Sequence, residues 1–436
     1  MLRLFTRTLC LPALKQYGTS PLIVAALLLL IFGARQAYHG ADPLQEIDEG
    51  AWIFSGYYFS LFFLENDRRS PDWKHPDALD HPPLAKYLFG WIAYENGYPI
   101  TSISLKEWWN RYDLNLPLRV PFVIHLRMKI PLSVLWWARF TTMFFLWGSA
   151  LLIFFIGFRS MSPMTGTIAA FLFAASPLTA TVATLATADA LFLFLLLAVV
   201  AAGVSVLSDP PSRPAHLVGL SLVFGFLCAL HFNTKINGIL SLATAILTCF
   251  FASVPLLSPR STKVIVVGAM LLTLITTSFL STVLLNPSLS DTPLETVSAM
   301  FSRRWERIAV QQQIFSGEAL ITVSDRMVTG LKRVLFDADP LWATIKCPLF
   351  LLALIAAIWL AVTATVKKRY SPPSPLVSLT LFSGFLWIFS TILNYHLDWQ
   401  RYLLPTLPFV ALFSARSLVV AVHTFRDWQY YRVTKR

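Results

Sequence analysis

Charge is what this sequence has least of. Asp, Glu, Lys and Arg make up 13% of its 436 residues, about half the share of an ordinary soluble domain. Cysteine is nearly absent. Cys10, Cys228, Cys249 and Cys347 are far apart in sequence, which excludes a disulfide framework and gives no zinc-ligand spacing. No phosphate-binding glycine loop and no dinucleotide fingerprint occur, so the common nucleotide-binding folds are excluded. Soluble repeats and low-complexity tracts are also missing.

What the chain has is apolar runs: 56% of its residues are hydrophobic and 14% aromatic. Ten stretches read as membrane spans: 20–38, 134–158, 166–182, 187–208, 217–232, 237–257, 264–285, 343–366, 376–393 and 402–422. This predicts an all-α polytopic membrane protein. Residues 1–19 and 423–436 read as tails, and 20–422 as one transmembrane unit. The first span reads as an uncleaved anchor rather than a signal peptide, because no clear small-residue cleavage site follows it.

The net charge of +12 invites a nucleic-acid reading, but its distribution opposes one. The two tails, the short turns on their side and the loop after 366 hold fourteen Lys and Arg against two acids, Asp209 and Asp427. They carry the whole net charge. Basic segments of membrane proteins stay in the cytoplasm, so both termini are expected there. Residues 39–133 and 286–342 become outer loops of a plasma-membrane protein. The first holds 12 of the 23 acidic residues. Its segments 51–64, 84–94 and 106–117 are apolar or amphipathic and shorter than the ~20 residues of a span, which suits interfacial helices.

The stretch from Ile47 to Lys86 concentrates the candidate chemistry. Asp48 and Glu49 suit the start of a helix, where carboxylates are favourable. An Asp at an apolar interface also suits a general base that takes a proton from a hydroxyl, or an oxygen ligand to a divalent cation. Asp80, His81, Pro82, Pro83 and Lys86 follow. The proline pair reads as a helix opener. Lys86 in the first turn opposes the helix dipole, which predicts an anion beside it, and phosphate fits. His81 could simply close a local hydrogen bond.

Arg139, Asp189, Lys235 and Arg401 each stand near the outer end of a span. Singly, each reads equally well as a snorkelling or turn residue. Together they fall on the face expected to hold Asp48 and Lys86. The polar segment 286–342, with Arg303, Arg304, Glu306 and Arg307 in a helical pattern, reads as a lid or cap.

The acid pair after span one, DHPPLAKYLFG at 80–90, ADALF at 188–192, TKING at 234–238 and WQRYLLP at 399–405 together resemble the GT-C membrane glycosyltransferases. The group they resemble most is glycosyltransferase family 39, with its protein O-mannosyltransferases and lipid A aminoarabinose transferases. The resemblance implies a GT-C-like bundle and transfer of a sugar from a polyprenyl-phosphate donor to a protein, lipid or glycan acceptor. It implies catalysis by Asp48 with Glu49 beside it. It also implies a donor phosphate held by Lys86, Lys235, Arg401 and Arg139, supported by Asp80, His81, Pro82, Pro83 and Asp189. No cofactor is required on this reading, although a divalent cation could take part. Segment 286–342 is too short for the luminal domain of the eukaryotic mannosyltransferases, and ten spans are fewer than the lipid A enzymes have, so the acceptor stays open. The alternatives are a transporter or flippase of a lipid-linked anion and a non-catalytic subunit of the same fold. Midplane charges would favour transport, whereas these charges gather at one face.

The expected topology is testable with single cysteines. Asp72→Cys and Ser316→Cys should react with a membrane-impermeant thiol reagent in intact cells, while Ser371→Cys should not. Labelling of the 371 site alone would reverse the orientation.

Overall fold

The computed structural model describes residues 20–39, 47–106, 130–210, 213–253, 260–337, 355 and 374–434. The expected span 343–366, the tail 1–19 and most of segment 106–117 lie outside the described residues. Eight of the described helices are long and apolar enough to cross a membrane, and a bent pair supplies a ninth. They correspond in order to the other nine expected spans. No strand occurs among the described residues. A single isolated bridge joins Ala319 and Leu397.

The first span is α1 (Ser20–His39), followed by α2 (Ile47–Phe54) and α3 (Leu84–Glu95) in the first loop. Next come α4 (Leu132–Ser160), α5 (Pro163–Ala175), α6 (Pro177–Ala183), α7 (Asp189–Ser208), α8 (Pro214–Thr234), α9 (Ser241–Ser253) and α10 (Arg260–Leu285). The second loop carries α11 (Pro293–Ile314) and α12 (Val323–Lys332). The chain ends with α13 (Pro375–Leu393) and α14 (Leu407–Thr434).

Local chemistry sets several boundaries. Ser162 caps α5, its hydroxyl accepting from the Thr165 amide at 3.1 Å, with Pro163 in the first turn. Pro177 lacks an N–H, so the expected span 166–182 breaks at Ser176 into α5 and α6, bent by 62°. Arg35 donates to the Ala174 carbonyl that this break frees, at 2.5 Å. The last span begins at Leu407 rather than 402. Pro405 and Pro408 keep the chain out of a helix until there, so Arg401 sits in a 3₁₀ turn, Gln400–Leu403.

Polar side chains inside the spans find acceptors on their own helix. Ser149, Ser205 and Thr248 donate to the carbonyls of Phe145, Ala201 and Thr244 at 2.8, 2.9 and 2.9 Å. In lipid, water is not there to satisfy them. Where α4 turns back into α5, Gly157 faces Gly166, and a Cβ built on Gly157 would lie 2.6 Å from the Gly166 Cα. The two backbones can touch only because neither has a side chain.

The loop between α1 and α4 is more than a skin over the bundle. The aromatic run expected as one interfacial helix is α2, a short helical turn and a π-helical turn, Ser60–Leu64. Tyr58, Phe62, Trp73 and Tyr87 are buried together. Gly56 and Gly90 let this run cross α3 closely, since a Cβ on Gly90 would fall 2.2 Å from the Gly56 carbonyl oxygen.

A buried ion pair fixes the loop to the bundle. Arg139 on α4 donates through Nε and Nη2 to the two oxygens of Glu49 on α2, at 2.7 and 2.8 Å. The Ala186 amide donates to Glu49 Oε1 at 2.9 Å. Their side chains are 2% and 0% exposed. Breaking such a pair strands a buried charge and costs about 3–5 kcal/mol. Glu49→Gln and Arg139→Leu should therefore each lower the melting temperature of the detergent-solubilised protein by several degrees. The double variant Glu49→Leu/Arg139→Leu should melt higher than either single one. Unchanged melting in both single variants would refute the structural role.

Candidate functional site

One cavity of about 250 Å³ opens where the helix ends converge. The ends of α8 and α13, the starts of α2 and α7, the Arg401 turn and one face of α11 all reach it. Its charged lining is Asp48, Asp80, Asp189, Lys235, Arg304, Arg307 and Arg401, with His81 among them.

Three ion pairs cross it. Arg401 donates to Asp48, and Arg307 donates to Asp80. Lys235 Nζ lies 2.6 Å from Asp189 Oδ1. Arg304 has no carboxylate within ion-pair distance among the described residues, and its side-chain hydrogen bond is to Tyr402. Burial would raise the Asp80 carboxyl, but His81, Arg307 and Arg304 outweigh it and hold Asp80 below the usual carboxylate range. Burial lowers the His81 pKa against the pull of Asp80, so its ring is neutral near pH 7. Among the described residues, four cations then face three carboxylates. Burial weakens the hold of Arg401 on its proton, yet Asp48 more than reverses that and raises its pKa.

Local backbone explains who reaches the cavity. Lys235 is extended between α8 and the 3₁₀ turn Ile236–Leu240, which lifts its side chain off the span. Asp189 opens α7, where a carboxylate suits the dipole. Successive helical residues point about 100° apart. Asp48 therefore faces the cavity while Glu49 faces the bundle.

Of the residues singled out in the sequence, Asp48, Asp80, His81, Asp189, Lys235 and Arg401 line this cavity. Glu49 and Arg139 do not: each satisfies the other beneath it. Lys86 is a correction too. It does have an anion beside it, but that anion is Asp77, 3.6 Å away. Lys86 is 1% exposed, lies 4.8 Å from the centre of the Tyr58 ring, and is absent from the cavity lining. The carboxylate Asp77 is held in turn by the Ser55 hydroxyl at 3.1 Å. Pro82 and Pro83 are buried, and Pro83 caps α3 as a helix opener should.

The second loop, expected as a lid or cap, supplies one wall of the cavity. Phe301, Arg304, Trp305, Ile308 and Gln311 fall on one stripe of α11 and line the cavity with Arg307. Arg303 instead pairs with Glu306 outside, at 3.5 Å. The i, i+3, i+7 spacing of Arg304, Arg307 and Gln311 was the available signal. Backbone hydrogen bonds bind this loop to the Arg401 turn: Leu320 N–H donates to His396 O at 3.0 Å and Asp398 N–H to Glu318 O at 2.9 Å. Arg333 grips Asp398 with two hydrogen bonds of 2.9 and 2.5 Å. Among the described residues, no group of three or more His, Cys, Asp or Glu stands close enough to hold a metal ion.

No protein-family model matches the sequence, and no curated protein matches it. Solved structures do match. The archaeal oligosaccharyltransferase AglB from Archaeoglobus fulgidus, in complex with an inhibitory peptide and a dolichol-phosphate, superposes with a TM-score of 0.51 at 12% identity, covering 97% of this chain and 52% of that one. ArnT from Cupriavidus metallidurans, bound to undecaprenyl phosphate, superposes with a TM-score of 0.52 at 12% identity, covering 93% of this chain and 60% of that one. The chain thus spans between half and three-fifths of the length of these proteins. With its apolar helices in the same arrangement, the chain is a multi-pass membrane protein with the GT-C fold.

Proposed function

We propose that this protein is a membrane glycosyltransferase that moves a sugar from a polyprenyl-phosphate carrier to an acceptor hydroxyl or phosphate. The cavity carries the reading. It gathers four cations against three carboxylates at the ends of membrane spans, where the headgroup of a lipid lying between helices would enter. Both fold neighbours hold a polyprenyl phosphate, dolichol-phosphate in one and undecaprenyl phosphate in the other. Asp48, Asp189, Lys235 and Arg401 lie at or beside helix ends on one face, which suits an enzyme better than a carrier with a midplane site.

In this mechanism Arg304, Arg401 and Lys235 hold the donor phosphate, and their charge stabilises it as it leaves. Lys86, Arg139 and Glu49 drop out of the site, since each is already paired in the interior. Asp48 takes the proton of the acceptor hydroxyl while that oxygen attacks the anomeric carbon. The bond to the phosphate oxygen breaks with its electron pair, and the configuration inverts. Asp48 is held by Arg401. A donor phosphate competes for the same guanidinium and so frees the carboxylate as the substrate arrives. The cavity opens on the outer face, with both termini in the cytoplasm, and the acceptor is a protein, lipid or glycan.

Asp48→Asn tests the chemistry, because Asn suits a helix start about as well but accepts no proton. Single-turnover transfer from a polyprenyl-phosphate sugar should fall on the order of 10²–10⁴-fold with donor binding retained. Near-normal transfer by the folded variant would refute the role of Asp48. Arg304→Gln removes a cation without stranding a carboxylate, and should weaken donor binding roughly 30-fold, the worth of one charge-assisted contact.

A further inference from the structure

Part of the cavity is not explained by a phosphate. Asp80 Oδ1 and Gln311 Oε1 are buried acceptors with no hydrogen-bond partner among the described residues. Asp80 is 5% exposed and Gln311 8%. Trp387 Nε1 is a buried donor that likewise has no partner. All three residues line the cavity. Asp80 uses its other oxygen to hold Arg307, and Gln311 follows Arg307 by one turn on the same face of α11. The two acceptors therefore share a wall, while Trp387 comes from α13. The rings of Trp52 and Trp305 line the same space.

Buried polar atoms in folded proteins nearly always have partners. Three orphans around one cavity mark a place where a ligand supplies them. An ionised phosphate has no proton to give Asp80 or Gln311. An ammonium group could donate to both oxygens, but it has no lone pair with which to accept from the indole N–H of Trp387. A hydroxyl donates to either oxygen and accepts from the indole N–H.

We infer that Asp80, Gln311 and Trp387 read the hydroxyls of a neutral glycosyl group on the lipid phosphate, and so select an uncharged sugar over a cationic amino sugar. The inference rests on the carrier reading above and adds the class of sugar. Asp80 acts here as part of a pair: Arg307 cancels its charge, leaving an acceptor that does not demand a cation.

Competition binding to the full detergent-solubilised chain tests this with three probes. They are polyprenyl phosphate, the same lipid carrying a hexose, and the same lipid carrying that hexose with one hydroxyl replaced by an amine. The wild type should bind the hexose lipid about tenfold more tightly than the bare lipid, and the amino-sugar lipid more weakly than the hexose lipid. Gln311→Met and Trp387→Phe keep side-chain bulk. Each should lose most of the increment due to the sugar and bind bare polyprenyl phosphate as the wild type does. An undiminished increment in both variants would overturn the inference. So would equal losses for bare and glycosylated lipid, or an amino-sugar lipid bound as tightly as its neutral counterpart. A wild-type protein that binds none of the three lipids overturns the carrier reading itself, and this inference with it.

Discussion

A charge at the edge of a membrane needs a partner, and that need organises this protein. Asp48, Asp80 and Asp189 each meet a cation from a distant part of the chain: Arg401, Arg307 and Lys235. The pairs join α2 to the turn before α14, the loop between α1 and α4 to α11, and α7 to the end of α8. They pull helix ends toward one point while the bundle below packs by apolar contact. Ion pairs are weak evidence for net stability, because desolvation offsets much of their attraction. Here they set position. They also keep six charged side chains around one space.

Glu49 and Asp48 show how one turn of helix divides labour. Glu49 points into the bundle and is wholly satisfied by Arg139 and the Ala186 amide. Asp48 points into the cavity, where its side chain is 43% exposed. The rigid member anchors α2, so the exposed member is held over the cavity by an element that cannot drift. The same logic applies a layer away, where Lys86, Asp77 and Ser55 fasten the start of α3 beneath His81. Residues that resemble site residues by type therefore serve the site from behind.

Much of the fold was legible because lipid imposes simple rules on sequence. Apolar runs of the right length became spans, Pro177 broke one of them, and the DHPPLAK motif opened a helix. The cavity was legible in part. Asp48, Asp189, Lys235 and Arg401 were expected together because their spans all end on one side. Arg304, Arg307 and Gln311 were harder to see. They lie on a polar helix in a loop, and nothing in hydropathy says which face of such a helix is covered.

Composition and period determined the order of the nine described spans, because burial of apolar length in lipid is a local property of each segment. Charge bias determined which helix ends belong together. Tertiary structure alone decided which charge meets which. Lys86 and Lys235 are both lysines at a helix terminus beside prolines or polar turns. One turned inward to Asp77 and the other outward into the cavity, as the direction of the chain and the packing of its neighbours required. That choice depends on contacts nine to hundreds of residues apart, between side chains such as Arg401 and Asp48 whose sequence surroundings do not record each other.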